Sequence, residues 1–173
     1  MKETVTSVTK KGPRSYQEDR HYETYIPDQG WQLLAVMDGY GGEEVSEFCE
    51  QSISRMMPLD INQPELALRV LVANLNSATF RSIAGSTFSG VIISENSRTA
   101  SVSVLGDSPV LVYDKQGRLH ISPEHNVRSN VAERKAAEQR GGIYNGGYIW
   151  NDLSDLGQSR QMGRALEIGR AHV

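Results

Sequence analysis

A chain of 173 residues, 38% hydrophobic and 23% charged, with a formal net charge of -3, has room for one domain with a substantial core and lacks the basic excess of a nucleic-acid or anionic-membrane surface. No apolar run approaches a membrane span, and the N-terminal MKETVTSVTKKGPRSYQEDR has basic residues with no apolar stretch behind them, so no secretory signal is read and a cytoplasmic protein is the default expectation. The single Cys49 has no partner for a disulfide or a zinc knuckle; on a helical apolar face it is expected to be a packed core thiol in a reducing compartment.

In chain order, Glu3 to Thr9 alternates polar and β-branched residues and predicts a strand closed by Lys10-Lys11-Gly12-Pro13. Arg14 to Asp19, RSYQED, is too polar to be buried by hydrophobicity. Arg20 to Ile26 predicts a second strand and Asp28-Gln29-Gly30 a turn. Trp31 to Met37 is the most apolar strand so far, and its lack of clean alternation predicts burial on both faces. It delivers Asp38 into a glycine-rich turn, Asp38-Gly39-Tyr40-Gly41-Gly42. Val45, Phe48, Cys49, Ile53, Met56 and Met57 then fall on one helical stripe that Pro58 ends, with Glu43 and Glu44 favouring the dipole in the first turn. A second helix starts near Asn62, Pro64 and Glu65 and runs to about Phe80, apolar at Leu68, Leu71, Leu75 and Ala78 on one face. The short connection predicts an antiparallel pair.

From Gly85 the period changes to two. Thr87 to Ile93, Thr99 to Val104, Val110 to Tyr113 and Leu119 to Ile121 predict antiparallel hairpins turned at Glu95-Asn96-Ser97 and Asp114-Lys115-Gln116-Gly117. Val127 to Arg140 predicts a helix stopped by Gly141-Gly142. Around Gly146-Gly147, Tyr148 and Trp150, a short strand and an irregular flap are equally compatible, and Gln158 to Leu166 reads as a loop or a helical turn. The class is α+β in a single domain.

Glu18, Asp19, Asp38 and Asp107 each sit beside a turn or a strand end, and separated carboxylates with a glycine carbonyl suit a hard cation such as magnesium or manganese. Arg14, just before the acidic pair, can hold two phosphate oxygens through parallel hydrogen bonds. Taken singly, each residue has a plainer role, in a solvated loop or a turn. The chain has no G-x-S-x-G, H-E-x-x-H or G-x-x-x-x-G-K-[ST] motif, and His21, His120 and His125 have no ligand spacing.

Together the motifs are more specific. Arg14-x-x-x-Glu18-Asp19, Val36-Met37-Asp38-Gly39-Tyr40-Gly41-Gly42, Gly85-Ser86-Thr87, Gly106-Asp107-Ser108, Glu124-His125-Asn126 and Gly141-Gly142, in that order, resemble the metal-dependent PPM-family serine/threonine protein phosphatases of the type 2C class. The resemblance implies a two-layer antiparallel β-sandwich flanked by antiparallel α-helix pairs, a site for two or more Mg2+ or Mn2+ ions, and a phosphorylated protein as substrate. It implies that Asp38 bridges two metals, that the carbonyl of Gly39 binds one, that Glu18 and Asp19 hold metal-bound water, that Arg14 grips the phosphate, and that Asp107 serves a further, weaker metal.

Two departures stand out. Tyr40 occupies a position where many members carry a histidine as proton donor, and a phenol with an ordinary pKa of about 10 is poorly matched to neutral pH. The downstream Asp-Gly and Asp-Asn motifs that complete the family's metal site do not occur, so weak metal binding and little or no phosphatase activity are expected of this chain, with a pseudophosphatase acting as a binding or regulatory module as the alternative. Residues 1–166 read as the N-terminal part of one phosphatase domain. Glu167 to Val173, EIGRAHV, matches a translated sequencing adapter and is expected to be a non-native tail.

Overall fold

Four antiparallel strands form the platform on which the functional residues stand. The computed structural model describes residues 4–79, 82 and 84–150. Within them the chain runs through β1 (Arg20–Ile26), β2 (Trp31–Met37), β3 (Gly39–Tyr40), α1 (Glu44–Met56), α2 (Pro64–Thr79), β4 (Gly85–Ser86), β5 (Phe88–Ser94), β6 (Thr99–Leu105), β7 (Leu111–Tyr113), β8 (Leu119–Ile121), α3 (Val131–Gln139), β9 (Ile143–Asn145) and β10 (Tyr148–Trp150). The main sheet has the order β1-β2-β5-β6, and β3-β4, β7-β8 and β9-β10 are two-stranded pairs. The result is an α+β architecture built from antiparallel sheets, as the sequence pattern predicts.

Register decides which side chains share a face. Leu33 lies opposite Ile92 and Ala35 opposite Gly90, and Phe88 lies opposite Leu105. These residues line one face. Val45, Cys49 and Ile53 of α1 and Leu68, Leu71 and Leu75 of α2 pack with them into one core, so the antiparallel helix pair covers that face. Gly90 is required there: a Cβ would come within 2.5 Å of the Phe88 ring. Cys49 is fully buried and burial pushes its thiol up to about 12, the packed core thiol that its helical position predicts.

The opposite face is less covered. Its alternate positions include Leu34, Val36, Val91 and Val102, of which Val36 is 50% exposed. The prediction of two-sided burial for Trp31 to Met37 therefore holds at Trp31, Gln32 and Leu33 and fails at Val36. Among the described residues, the second layer of the expected sandwich is present only in short pieces, and a cleft of about 670 Å³ lies between the sheet, Val5 to Lys10 and Pro109-Val110.

Other differences have local causes. Thr4 to Thr9 has no strand: Ser7 Oγ bonds His21 Nε2 at 3.1 Å, a side-chain contact with the outer strand β1 rather than a backbone ladder. The third helix begins at Val131 rather than near Val127, since the Asn130 side chain accepts the Glu133 N–H at 3.1 Å and fixes the start there. At the end of α2 the buried residue is Thr79, whose hydroxyl donates to the Leu75 carbonyl at 3.0 Å, while Ala78 faces outward. The segment around Gly146-Gly147 is a β9-β10 hairpin, with Arg134 stacked on Tyr144 and Arg128 on Tyr148. The readings of residues 158–166 and of the 167–173 tail lie outside the described residues.

Candidate active site

The site begins where β2 leaves the core. Met37 is fully buried and the next side chain, Asp38, is exposed, so the strand carries one carboxylate from the interior to the rim. A hydroxyl network fixes its backbone. The Asp38 N–H donates to Thr87 Oγ1 at 3.0 Å, the Thr87 N–H donates to the Asp38 carbonyl at 2.9 Å, and Ser86 Oγ donates to the same carbonyl at 3.3 Å. Thr87 Oγ1 also bonds Ser108 Oγ at 3.0 Å, and Ser89 Oγ donates to the Ser108 carbonyl. The end of β2, the start of β5 and the loop after β6 are thereby tied at one point. Ser86, Thr87 and Ser108 belong to the sequence motifs, but only the folded geometry assigns them this task.

Three carboxylates act on one another there. The Asp38 carboxyl is raised from 3.8 to about 6, first because the protein around its base displaces water although the side chain opens outward, then because Asp19 and Asp107 add negative charge. Asp19 stands within hydrogen-bonding reach of Asp38, and the positive charge of Arg14 opposes the rise. The fold thus brings four of the predicted residues, Arg14, Asp19, Asp38 and Asp107, into one electrostatic neighbourhood from three separate segments.

Glu18 has a different environment. It is 9% exposed, despite lying in a segment too polar to be buried by hydrophobicity, because both carboxylate oxygens are satisfied. Oε2 accepts from Arg14 Nη1 at 2.7 Å and Oε1 from the Gly42 N–H at 3.0 Å. Its backbone carbonyl accepts from Ser46 Oγ at 2.5 Å. Glu18 therefore pins both the arginine and the glycine turn. Gly39 is required beside it, since a Cβ would lie 2.6 Å from the Glu18 carbonyl oxygen and 2.8 Å from Ser46 Oγ. The Arg14 side chain remains 70% exposed, anchored at one nitrogen and open to solvent. Tyr40 is half-buried and pairs with Gly85 through the backbone.

A further brace was not legible in the sequence. Arg20, 18% exposed, donates to the Gln17 carbonyl at 2.6 Å and pairs with Glu43 at 3.2 Å and Glu50 at 3.7 Å. It couples the Arg14 to Asp19 loop to α1. Its sequence signal, one arginine at a strand start, is indistinguishable from a surface charge.

The donors suit a hard divalent cation in kind, because they are carboxylate oxygens and a cation relieves the repulsion that Asp19 and Asp107 add to the effect of burial at Asp38. They fall short in number: among the described residues no group of three His, Cys, Asp or Glu side chains stands close enough to hold a metal ion.

The comparisons with known proteins agree with this picture. No curated protein matches the chain by sequence. Its fold is similar to that of a C. elegans sex-determining protein, with 24% identity and a TM-score of 0.68 over 95% of this chain and 45% of that one. It is also similar to the PPM Ser-Thr phosphatase MsPP from Mycobacterium smegmatis, solved in complex with cacodylate (20% identity, TM-score 0.60, 94% of this chain and 66% of that one). Serine-threonine phosphatase 2C from Toxoplasma gondii is a third (20%, 0.64, 90% and 65%). The chain thus spans between 45% and 66% of the length of these structures. The protein phosphatase 2C family matches residues 5–165, nearly the whole chain, and the chain belongs to that family.

Proposed function

We propose that this chain carries the phosphate-gripping arginine and part of the metal shell of an enzyme that hydrolyses phosphoserine and phosphothreonine in proteins with Mg2+ or Mn2+. The observation that carries the reading is the convergence of Asp38, Asp19 and Asp107 beside Arg14. Arg14 takes two phosphate oxygens, its guanidinium held in place by Glu18. MsPP binds cacodylate, a tetrahedral oxyanion like the phosphate this arginine would hold. Asp38, Asp19, Asp107 and the Gly39 carbonyl are the oxygen donors for the cations. When bound, those cations lower the pKa of water and neutralise phosphoryl charge. Water adds to phosphorus as the bond to the seryl or threonyl oxygen breaks, and the leaving oxygen takes a proton, for which the Tyr40 hydroxyl is the candidate donor.

A second reading, a pseudophosphatase that binds phosphoproteins without turnover, is favoured by the shortage of a third close ligand among the described residues and by the phenol at Tyr40. The test is Mn2+-dependent phosphate release from a phosphothreonine peptide, measured with this chain and with the protein expressed from its full genomic reading frame. The full-frame protein is expected to turn over and to lose on the order of 100-fold or more on Asp38→Asn. This 173-residue chain is expected to bind Mn2+ more weakly than micromolar and to release little phosphate. Peptide binding without hydrolysis by the full-frame protein selects the pseudophosphatase, and robust hydrolysis by this chain overturns the half-built site.

A further inference from the structure

The Glu124-His125-Asn126 motif takes no part in the chemistry above, yet it supplies a side-chain hydrogen bond to the Asp107 carboxylate. Asn126 Nδ2 donates to Asp107 Oδ2 at 2.9 Å. The amide is oriented for this, because its other end, Oδ1, accepts the Arg128 N–H at 2.9 Å; a flipped amide would set two donors against each other and carboxylate against carbonyl. One residue earlier, His125 grips the residue before Asp107 from both sides. The His125 N–H donates to the Gly106 carbonyl at 2.9 Å, and the Gly106 N–H donates to His125 Nδ1 at 3.2 Å. Gly106 is buried at φ +110°, a conformation that favours glycine. The clamp therefore closes on a backbone position that side-chain-bearing residues rarely adopt. The loop behind it is itself braced: the Asn130 N–H donates to the Asn126 carbonyl at 2.8 Å, and Asn130 Nδ2 to the Glu124 carbonyl at 2.8 Å.

We propose that Asn126 and His125 are positioning residues that preset the Asp107 carboxylate for a divalent cation: Asn126 fixes its rotation, and His125 fixes the backbone that bears it. The proposal rests on the metal reading of the site. In this role neither residue is itself a ligand: each acts through Asp107. An amide donor on one carboxylate oxygen directs the other toward the ligand position, and such supporting contacts typically govern metal affinity by about 10- to 100-fold.

The test is Mn2+ binding by the 173-residue chain, followed by water-proton relaxation, which reads millimolar as well as tighter affinities. Wild type, Asn126→Ala, Asn126→Ser, His125→Ala and His125→Asn are compared, each also in an Asp107→Asn background, with thermal unfolding of the same apo samples as the control for folding. The expected result is about 10-fold weaker binding for the Asn126 variants and for His125→Ala. His125→Asn is expected to bind near wild type, since Oδ1 of asparagine stands where Nδ1 accepts. No further loss is expected once Asp107 is neutralised. Equal losses with and without Asp107, or binding that falls only in step with unfolding, overturn the positioning role. Wild-type binding that is sensitive to Asp38→Asn but indifferent to residues 125 and 126 overturns the clamp and leaves the metal reading standing. No Mn2+ uptake by wild type at millimolar concentration overturns the clamp, while the full-frame assay above decides the metal reading.

Discussion

Partial burial, and then the charges of Asp19 and Asp107, hold the Asp38 carboxyl above its ordinary range, and this gives the apo chain a measurable pH dependence. In the fold its carboxyl is raised from an ordinary 3.8 to about 6. Between those values the folded chain holds more protons than the unfolded one, so stability falls as pH rises through the window and the penalty is complete above it. Asp38→Asn removes the charge. It should therefore stabilise the metal-free chain at pH 7.5, by about 1 kcal/mol once solvent screening of this open side chain is allowed for, and leave it unchanged near pH 3.5. Urea unfolding at the two pH values reads the difference, and equal stability at pH 7.5 would show that neither burial nor the charges of Asp19 and Asp107 raise the Asp38 carboxyl. Gly39 is the counterpart in shape. A Cβ there meets a backbone carbonyl, which cannot swing away, so Gly39→Ala should cost about 1–3 kcal/mol and release the Glu18 contact to Ser46. The Asp38-Gly39 pair was legible in the sequence as a strand-to-turn junction. Its approach to Glu18 was not, because that contact joins segments whose proximity only the folded chain creates.

At the scale of elements, an ion-paired arginine ties the Arg14 to Asp19 loop to α1. Arg20 reaches the Gln17 carbonyl, Glu43 and Glu50 with one guanidinium. Arg20→Ala should destabilise by about 1–2 kcal/mol, since the two glutamates it leaves are partly solvated. Arg20→Lys should recover little, because an ammonium cannot serve three directions with the same fork. Chemical denaturation of the two variants checks this, and full rescue by lysine would mean that charge alone matters. The helices behave differently from this brace in how far the sequence foretold them. The stripes of α1 and α2 and the hairpin pairing of β5 with β6 follow from periodicities that a short window of sequence contains. The α3 start needed the side chain of Asn130, and the absence of a strand at Thr4 to Thr9 is not marked in its alternating pattern. The ion pairs of Arg20 span from 23 to 30 positions along the chain, beyond any local pattern.

For the molecule as a whole, the asymmetry between the two faces of the main sheet sets its behaviour in solution. The helix-covered face holds Phe88, Leu33 and Ile92 with no exposure, whereas the other side leaves Val36 50% and Val102 37% exposed, and β7-β8 adds Leu111 at 56% and Ile121 at 63%. Among the described residues, β6 is the outer strand on its side of the sheet, and Thr99–Leu105 contains no charge and no proline, the two features that commonly blunt an edge. An uncharged edge beside exposed apolar side chains favours pairing with another chain. The 173-residue chain should therefore associate with rising concentration, and Val102→Lys, on the uncovered side of that edge, should suppress association while changing the unfolding free energy by no more than about 0.5 kcal/mol. Phe88→Ala, on the covered side, should instead cost about 3–5 kcal/mol and increase association. Sedimentation velocity across a concentration series separates the outcomes. A chain that stays monomeric at all concentrations, or a Val102→Lys variant that associates as wild type does, would place the sticky surface elsewhere than on β6.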